Sequence, residues 1–201
     1  MYPTAEALLP PKSSETFMAY QDALQWLFNL TRFGEKLDLS APRALNHALG
    51  DPLSHFKSAL IGGTNGKGST CAYLSALGRI SKRRVGRFTS PHLISFRERI
   101  TVEDALISHD DVIKGVQELR RVTALHDLRL SFFEATWGLA AWHFARSEVE
   151  WVIWEVGLGG RLDATNVCDP LLSGISSIGL DHTHILGETL PEIASEKSAI
   201  Y

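Results

Sequence analysis

The chain has 201 residues, 44% hydrophobic and 21% charged, which suits one globular domain with a well-buried core. Twenty basic and 23 acidic residues leave a net charge of -3, so neither nucleic acid nor an anionic membrane is expected as a partner. Cys71 and Cys168 stand in unrelated contexts and fit a reducing compartment, and residues 1–11 lack the pattern of a signal peptide. No run reaches the roughly 18 apolar residues of a membrane span, so a cytoplasmic monomer is expected.

Residues 1–19 read as an N-terminal extension to a domain over 20–201. "AYQDALQWLFNLTRF" then sets Tyr20, Ala23, Leu24, Leu27 and Phe28 at helical spacing and should stop at Gly34. A short helix is expected over 42–49, followed by a strand, "HFKSALI". That strand runs into "IGGTNGKGST", and "STCAYLSALGRISK" reads as the next helix. "RRVGRFT" is a second strand, ending in the loop "SPHLISFRER". Its basic cluster, Lys82, Arg83, Arg84 and Arg87, has no aromatic platform beside it and reads as a solvated helix end and loop.

"SHDDVIKGVQELRRVTAL" is a helix capped by Ser108, and "FFEATWGLAAWHFARS" a more buried one. "VEWVIWEVG" is a continuous apolar run that suits a parallel strand covered on both faces, and "LLSGISSIGL" is a further strand. In the last segment Thr189 caps a helix, with Pro191 in its first turn and Glu192 three residues after the cap. It lacks a glycine stop, so a truncated chain is expected. Strands alternating with helices predict an α/β fold: a doubly wound, mostly parallel sheet. Ligands in such sheets sit beyond the carboxyl ends of the strands, which here are segments 62–70, 89–93, 155–166 and 181–187.

The first of these fails the G-x-x-x-x-G-K-[ST] template: Ile61 stands five before Gly66, and Gly68 follows Lys67. Its physics nonetheless suits a phosphate. Gly62, Gly63, Gly66 and Gly68 permit inward-facing amides, a helix dipole follows, and Lys67 adds charge beside the hydroxyls of Ser69 and Thr70. Glu155, at the end of an apolar strand, needs a cation or donors: an arginine such as Arg161, or a hard metal ion, or a general-base role. In "GLGGRLDATN" a tight loop is expected, with Arg161 reaching for an anion and Asp163 bracing it or the metal shell. His182 beside Asp181 is a candidate ligand, His184 a loop residue, and His109 and His126 structural. For Ser90 and His92 around Pro91, a plain turn and a site role stay open.

"GTNGKGST", "FTSPHL", "FRERI", "FFEATW", "EVGLGGRLDATNV" and "DHTHILGETLPEIASEK", in this order, resemble the folylpolyglutamate and dihydrofolate synthases of the Mur ligase superfamily. The resemblance runs from about residue 20 to 197 and implies the family's shorter phosphate loop. It implies that residues Gly63, Thr64, Asn65, Gly66, Lys67, Gly68, Ser69 and Thr70 hold ATP, and that Ser90, Glu155 and His182 bind Mg²⁺. Lys197, once carbamylated, would hold a second Mg²⁺, although the family's "EKAGI" is "EKSAI" here. Asp38, Leu39, Phe132, Phe133 and Leu162 would line the pteroate pocket, and Lys67, Lys197, Arg161 and Asp163 would serve catalysis. The implied activity joins L-glutamate to dihydropteroate or a folate through an acyl phosphate. A C-terminal ligase domain is expected to be absent from these residues. A Mur-type ligase for cell-wall precursors and a non-catalytic nucleotide- or pterin-binding fragment are the competing readings.

Overall fold

The structure, a computed structural model, describes residues 8–11, 13–31 and 38–201. Ser13 accepts a hydrogen bond from the Thr16 amide and starts α1 (Ser14–Asn29), inside the segment read as an extension. Tyr20, Ala23 and Leu27 form its buried stripe, as the spacing implied, and the helix stops at Asn29; the expected stop at Gly34 lies outside the described residues. α2 (Ser40–Ala48) buries Pro42 and Leu45. β1 (Lys57–Gly62), α3 (Lys67–Ile80) and β2 (Val85–Phe88) follow as expected.

The chain then makes a hairpin that its sequence did not announce. β3 (Ile100–Val102) and β4 (Ala105–Leu106) pair antiparallel with each other, and β3 pairs antiparallel with β2. Their turn holds Glu103 and Asp104 at φ +54° and +64°, the left-handed pair that a two-residue hairpin needs. No glycine or asparagine marks it; instead Arg79 (2.7 Å) and Arg87 (3.5 Å) anchor the Asp104 carboxylate.

α4 (His109–His126) is capped by Ser108, and α5 (Phe132–Arg146) by a reciprocal Ser131–Glu134 box. β5 (Trp151–Glu155) and β6 (Leu172–Ile175) complete the sheet in the order β4-β3-β2-β5-β1-β6, with β2, β5, β1 and β6 mutually parallel. Two helices close the described chain: α6 (Thr183–Leu186), unforeseen, and α7 (Leu190–Ser198), which carries the Thr189–Glu192 capping box and Pro191 in its first turn.

Strand alternation divides the core between the two faces. Leu60, Phe88, Val152 and Trp154 join α1, α2, α4 and α5, while Ala59, Ile61, Val85 and Ile153 pack on Cys71 of α3. Both faces of β5 are therefore covered, which accounts for its unbroken apolar run. Trp137 and Phe144 of α5 lie against Trp154, all fully buried, and truncating such an aromatic to alanine costs about 3–5 kcal/mol.

Candidate functional site

The strand order sets four loops side by side at the carboxyl edge, after β2, β5, β1 and β6. Between β1 and α3, Gly63 has φ +136°, and a Cβ there would lie 2.1 Å from Ser176 Oγ, so no other residue fits. The loop is fastened to the segment after β6. Thr64 N donates to Ser177 O (2.8 Å) and Asn65 N to Ser177 Oγ (2.9 Å). Ser176 Oγ donates to the Asn65 carbonyl (2.8 Å), and Thr64 Oγ1 bonds both Gly179 N and Gly179 O.

These contacts divide the residues expected at the phosphates. The Thr64 and Asn65 amides are already taken, and the Thr70 hydroxyl folds back onto the Gly66 carbonyl (2.9 Å). The first helical bond is Thr70 N to Gly66 O, so the amides ahead of it have no acceptor within the helix. Gly68 lies beside the Glu155 carboxylate, and the amides of Gly66, Lys67 and Ser69 stand at the positive end of α3. Lys67 Nζ rests on the carbonyls of Gly63 (2.9 Å) and Thr64 (3.3 Å). Lys197 Nζ, buried on α7, donates to the same Gly63 carbonyl (3.2 Å). Burial and then the neighbouring Lys67 charge lower the basicity of Lys197.

Glu155 is 5% exposed and accepts from the Ser90 amide (2.9 Å). Burial pushes its carboxyl above the usual carboxylate range; the Ser90 amide, Lys67, Arg99 and the Gly68 amide pull it back. Arg161 is not its partner. Arg161 is tied to α7, its Nε paired with the Glu196 carboxylate (3.0 Å) and its Nη2 donating to Ser195 O (3.2 Å). Asp163 does not brace Arg161. Its buried carboxylate accepts the amides of Gly157 (3.0 Å), Leu158 (2.8 Å) and Thr165 (3.0 Å), plus the Thr165 hydroxyl. The tight loop places those donors around it, and they are the donors it uses.

Of the expected metal ligands, the structure brings Ser90 and Glu155 together. His182 sits at the left-handed start of α6, 3.7 Å from Asp181, and no hydrogen bond joins it to the pair. Segment 181–187 does not follow β6 directly; residues 176–180 intervene and grip the phosphate loop. Among the described residues no three His, Cys, Asp or Glu side chains are grouped to hold a metal.

A cleft of about 430 Å³ opens beside Ser90, lined by Asp38, Phe132, Phe133, Leu162 and Arg99 among others. Phe132 stacks on Phe28 (5.5 Å), and Phe133 meets Phe88 edge-on (5.7 Å). Leu39, half-buried at the start of α2, does not line it. Ser176, Ser177 and Arg99 were missed from sequence. The two serines carry no motif. Arg99 lay inside "FRERI", where Ser95 and Glu98 form a capping box that marks a fixed turn.

A glycine-rich loop between parallel strand and helix, its lysine in the helix's first turn and a buried carboxylate on the next strand, defines a P-loop α/β domain. No protein-family model matches the chain. It is 42% identical over 189 residues to the dihydrofolate synthase/folylpolyglutamate synthase of Bacillus subtilis, which covers 92% of this chain and 44% of that protein. To the dihydrofolate synthetase of Saccharomyces cerevisiae it is 38% identical over 168 residues, 82% of this chain and 39% of that one. Its backbone matches Escherichia coli FolC in complex with DHPP and ADP at a TM-score of 0.85 and 34% identity, over 90% of this chain and 44% of that one. An FPGS–AMPPCP–folate complex matches equally well, at 0.85 and 32% identity over 90% and 45% of the two chains. The chain thus spans less than half the length of these relatives. It belongs to the folylpolyglutamate synthase/dihydrofolate synthase family, of Mur ligase fold.

Proposed function

We propose that these residues are the nucleotide- and pterin-binding part of an ATP-dependent ligase that adds L-glutamate to dihydropteroate, a folate or both. The observation that carries this is the meeting of two sites at one point. Ser90 lines the aromatic cleft, while its amide holds Glu155 beside Gly68 of the phosphate loop. A carboxylate at the end of a ligand in that cleft lies next to bound phosphates.

The reaction follows from that adjacency. An oxygen of the substrate carboxylate attacks the γ-phosphorus of ATP; the bond to the bridging oxygen breaks, and ADP leaves with an acyl phosphate formed. The amine of glutamate then adds to the acyl carbon. Phosphate departs with the C–O electron pair, and the ammonium proton is lost to solvent. Lys67 leaves the Gly63 carbonyl to neutralise the transferring phosphoryl group, and the open amides at the start of α3 orient it. Apolar Phe132, Phe133 and Leu162 keep water from the acyl phosphate.

Glu155 and the Ser90 hydroxyl are the oxygen donors suited to Mg²⁺, which supplies further charge neutralisation when bound. His182 stands outside that pair. A second ion would need Lys197 as a carbamate; its buried amine beside Lys67 is of the lowered basicity that leaves nitrogen free to react with CO₂. Asp163 acts as a positioning residue for the loop that walls the cleft.

Calorimetry of the 201-residue chain with AMPPCP and Mg²⁺, then with dihydropteroate, tests the reading. Both should bind, and together. Binding of a nucleotide-linked muramyl substrate in place of dihydropteroate would transfer the chain to the cell-wall reading. Dihydropteroate-dependent ADP release by the whole enzyme, with glutamate incorporated, tests the ligase itself.

A further inference from the structure

We infer that Arg99 is the seat of the substrate's anionic end, the carboxylate of an aryl carboxylic acid bound in the cleft. This rests on the pterin-cleft reading above and names the group that reads the carboxylate. Arg99 is 7% exposed. A guanidinium carries five N–H donors, and only Nε–H is used here, donating to His92 Nδ1 (2.8 Å). Among the described residues no acceptor takes the four Nη hydrogens, and neither Nη is sealed from solvent. Arg99 is one of the residues that line the cleft.

The neighbouring carboxylates are occupied elsewhere. Glu98 is consumed by the amides of Leu93 (3.0 Å), Ile94 (2.9 Å) and Ser95. Glu155 acts on Arg99 through space, without an ion-pair contact, and is held by the Ser90 amide. A ligand carboxylate can therefore replace solvent at these donors. The planar Nη pair matches a carboxylate bidentately.

The side chain is also held in place before any ligand arrives. His92 accepts from Nε, which makes it the neutral tautomer with its proton on Nε2, and Cζ lies 5.2 Å from the centre of the Phe132 ring. Fixed from two sides, the fork pays little ordering entropy on binding. Ser90, a second lining residue at this end, leads through Glu155 to the phosphate loop. Arg99 therefore offsets the repulsion between the substrate carboxylate and the triphosphate it must attack.

The test compares pteroate with its methyl ester, which keeps the ring system and removes the charge, by fluorescence titration of the 201-residue chain. The native chain should prefer the acid roughly ten- to hundredfold. Arg99→Gln should bring that preference to within about twofold, through loss of acid affinity far larger than any loss for the ester. Arg99→Lys, which keeps charge without the fork, should retain an intermediate preference, and it carries the test if thermal melting shows the glutamine variant unfolded. An unchanged preference in Arg99→Gln or Arg99→Lys overturns the inference. Equal binding of acid and ester by the native chain also overturns it while leaving the pterin reading intact. Binding of neither compound takes both down.

Discussion

Two glycine-rich loops follow adjacent parallel strands here, and they dispose of their amides in opposite ways. The loop after β5 is closed from within: Asp163 takes the amides of Gly157, Leu158 and Thr165, leaving that loop a finished wall. The loop after β1 has no carboxylate among its amides: Ser177 takes those of Thr64 and Asn65 from outside, and those at the start of α3 have no acceptor within the helix. Glycine content alone does not make a phosphate site. What decides is whether an internal carboxylate has already claimed the donors.

Lys67→Ala should weaken nucleotide binding about a hundredfold, measured by calorimetry, because a phosphate loses its charge-assisted partner. The melting temperature should barely move, since Lys67 holds only carbonyls of its own loop. Normal nucleotide affinity in that variant would mean the β1 loop is not open in the sense argued.

Asp163→Ala should show the reverse signature. Stranding the buried amides should cost about 2–4 kcal/mol, a fall of very roughly 4–16 °C in melting temperature for a chain of this size. Nucleotide affinity should change little. A loss below about 1 kcal/mol would show that the β5 loop closes without its aspartate.

Ser177→Ala removes one external fastening, the acceptor for Asn65 N. About 1 kcal/mol, or a three- to tenfold drop in nucleotide affinity, is expected at nearly constant melting temperature. Equal affinity would mean that the β6 segment only accompanies the loop.

Acid should act on the frame rather than on either loop's amides. Burial lowers the basicity of His92, His109 and His143 below the usual histidine value. Between their lowered values and about 6.5 the unfolded chain binds more protons than the folded one, so stability rises with pH there. The contribution is whole above that range and is lost as pH falls through the folded values. Melting curves from pH 8 to 5 should show this decline, and His143→Gln should flatten part of it. A melting temperature that rises on acidification would contradict it.

Local signals carried most of the frame. Capping serines and threonines, the apolar run of β5 and the strand–glycine–helix passage each state their own structure within about ten residues. The hairpin of β3 and β4 escaped because three-residue and two-residue strands show no period and the Glu103–Asp104 turn lacks the usual residues. Arg161 and Asp163 were placed in one partnership because they are two residues apart. In the fold one turns outward to Glu196 and the other inward to amides. That the Nη groups of Arg99 meet no acceptor among the described residues is likewise a fact about surroundings, which no residue pattern states.

The serine fastening also has a consequence in time. Asn65 and Ser177 are 112 residues apart, so the nucleotide loop takes its final shape only once β6 and the residues behind it are in place. Synthesis runs from the N-terminus, and contacts this distant form late because the intervening chain must first be ordered. A ribosome that has delivered α3 has made the loop's letters but not its geometry.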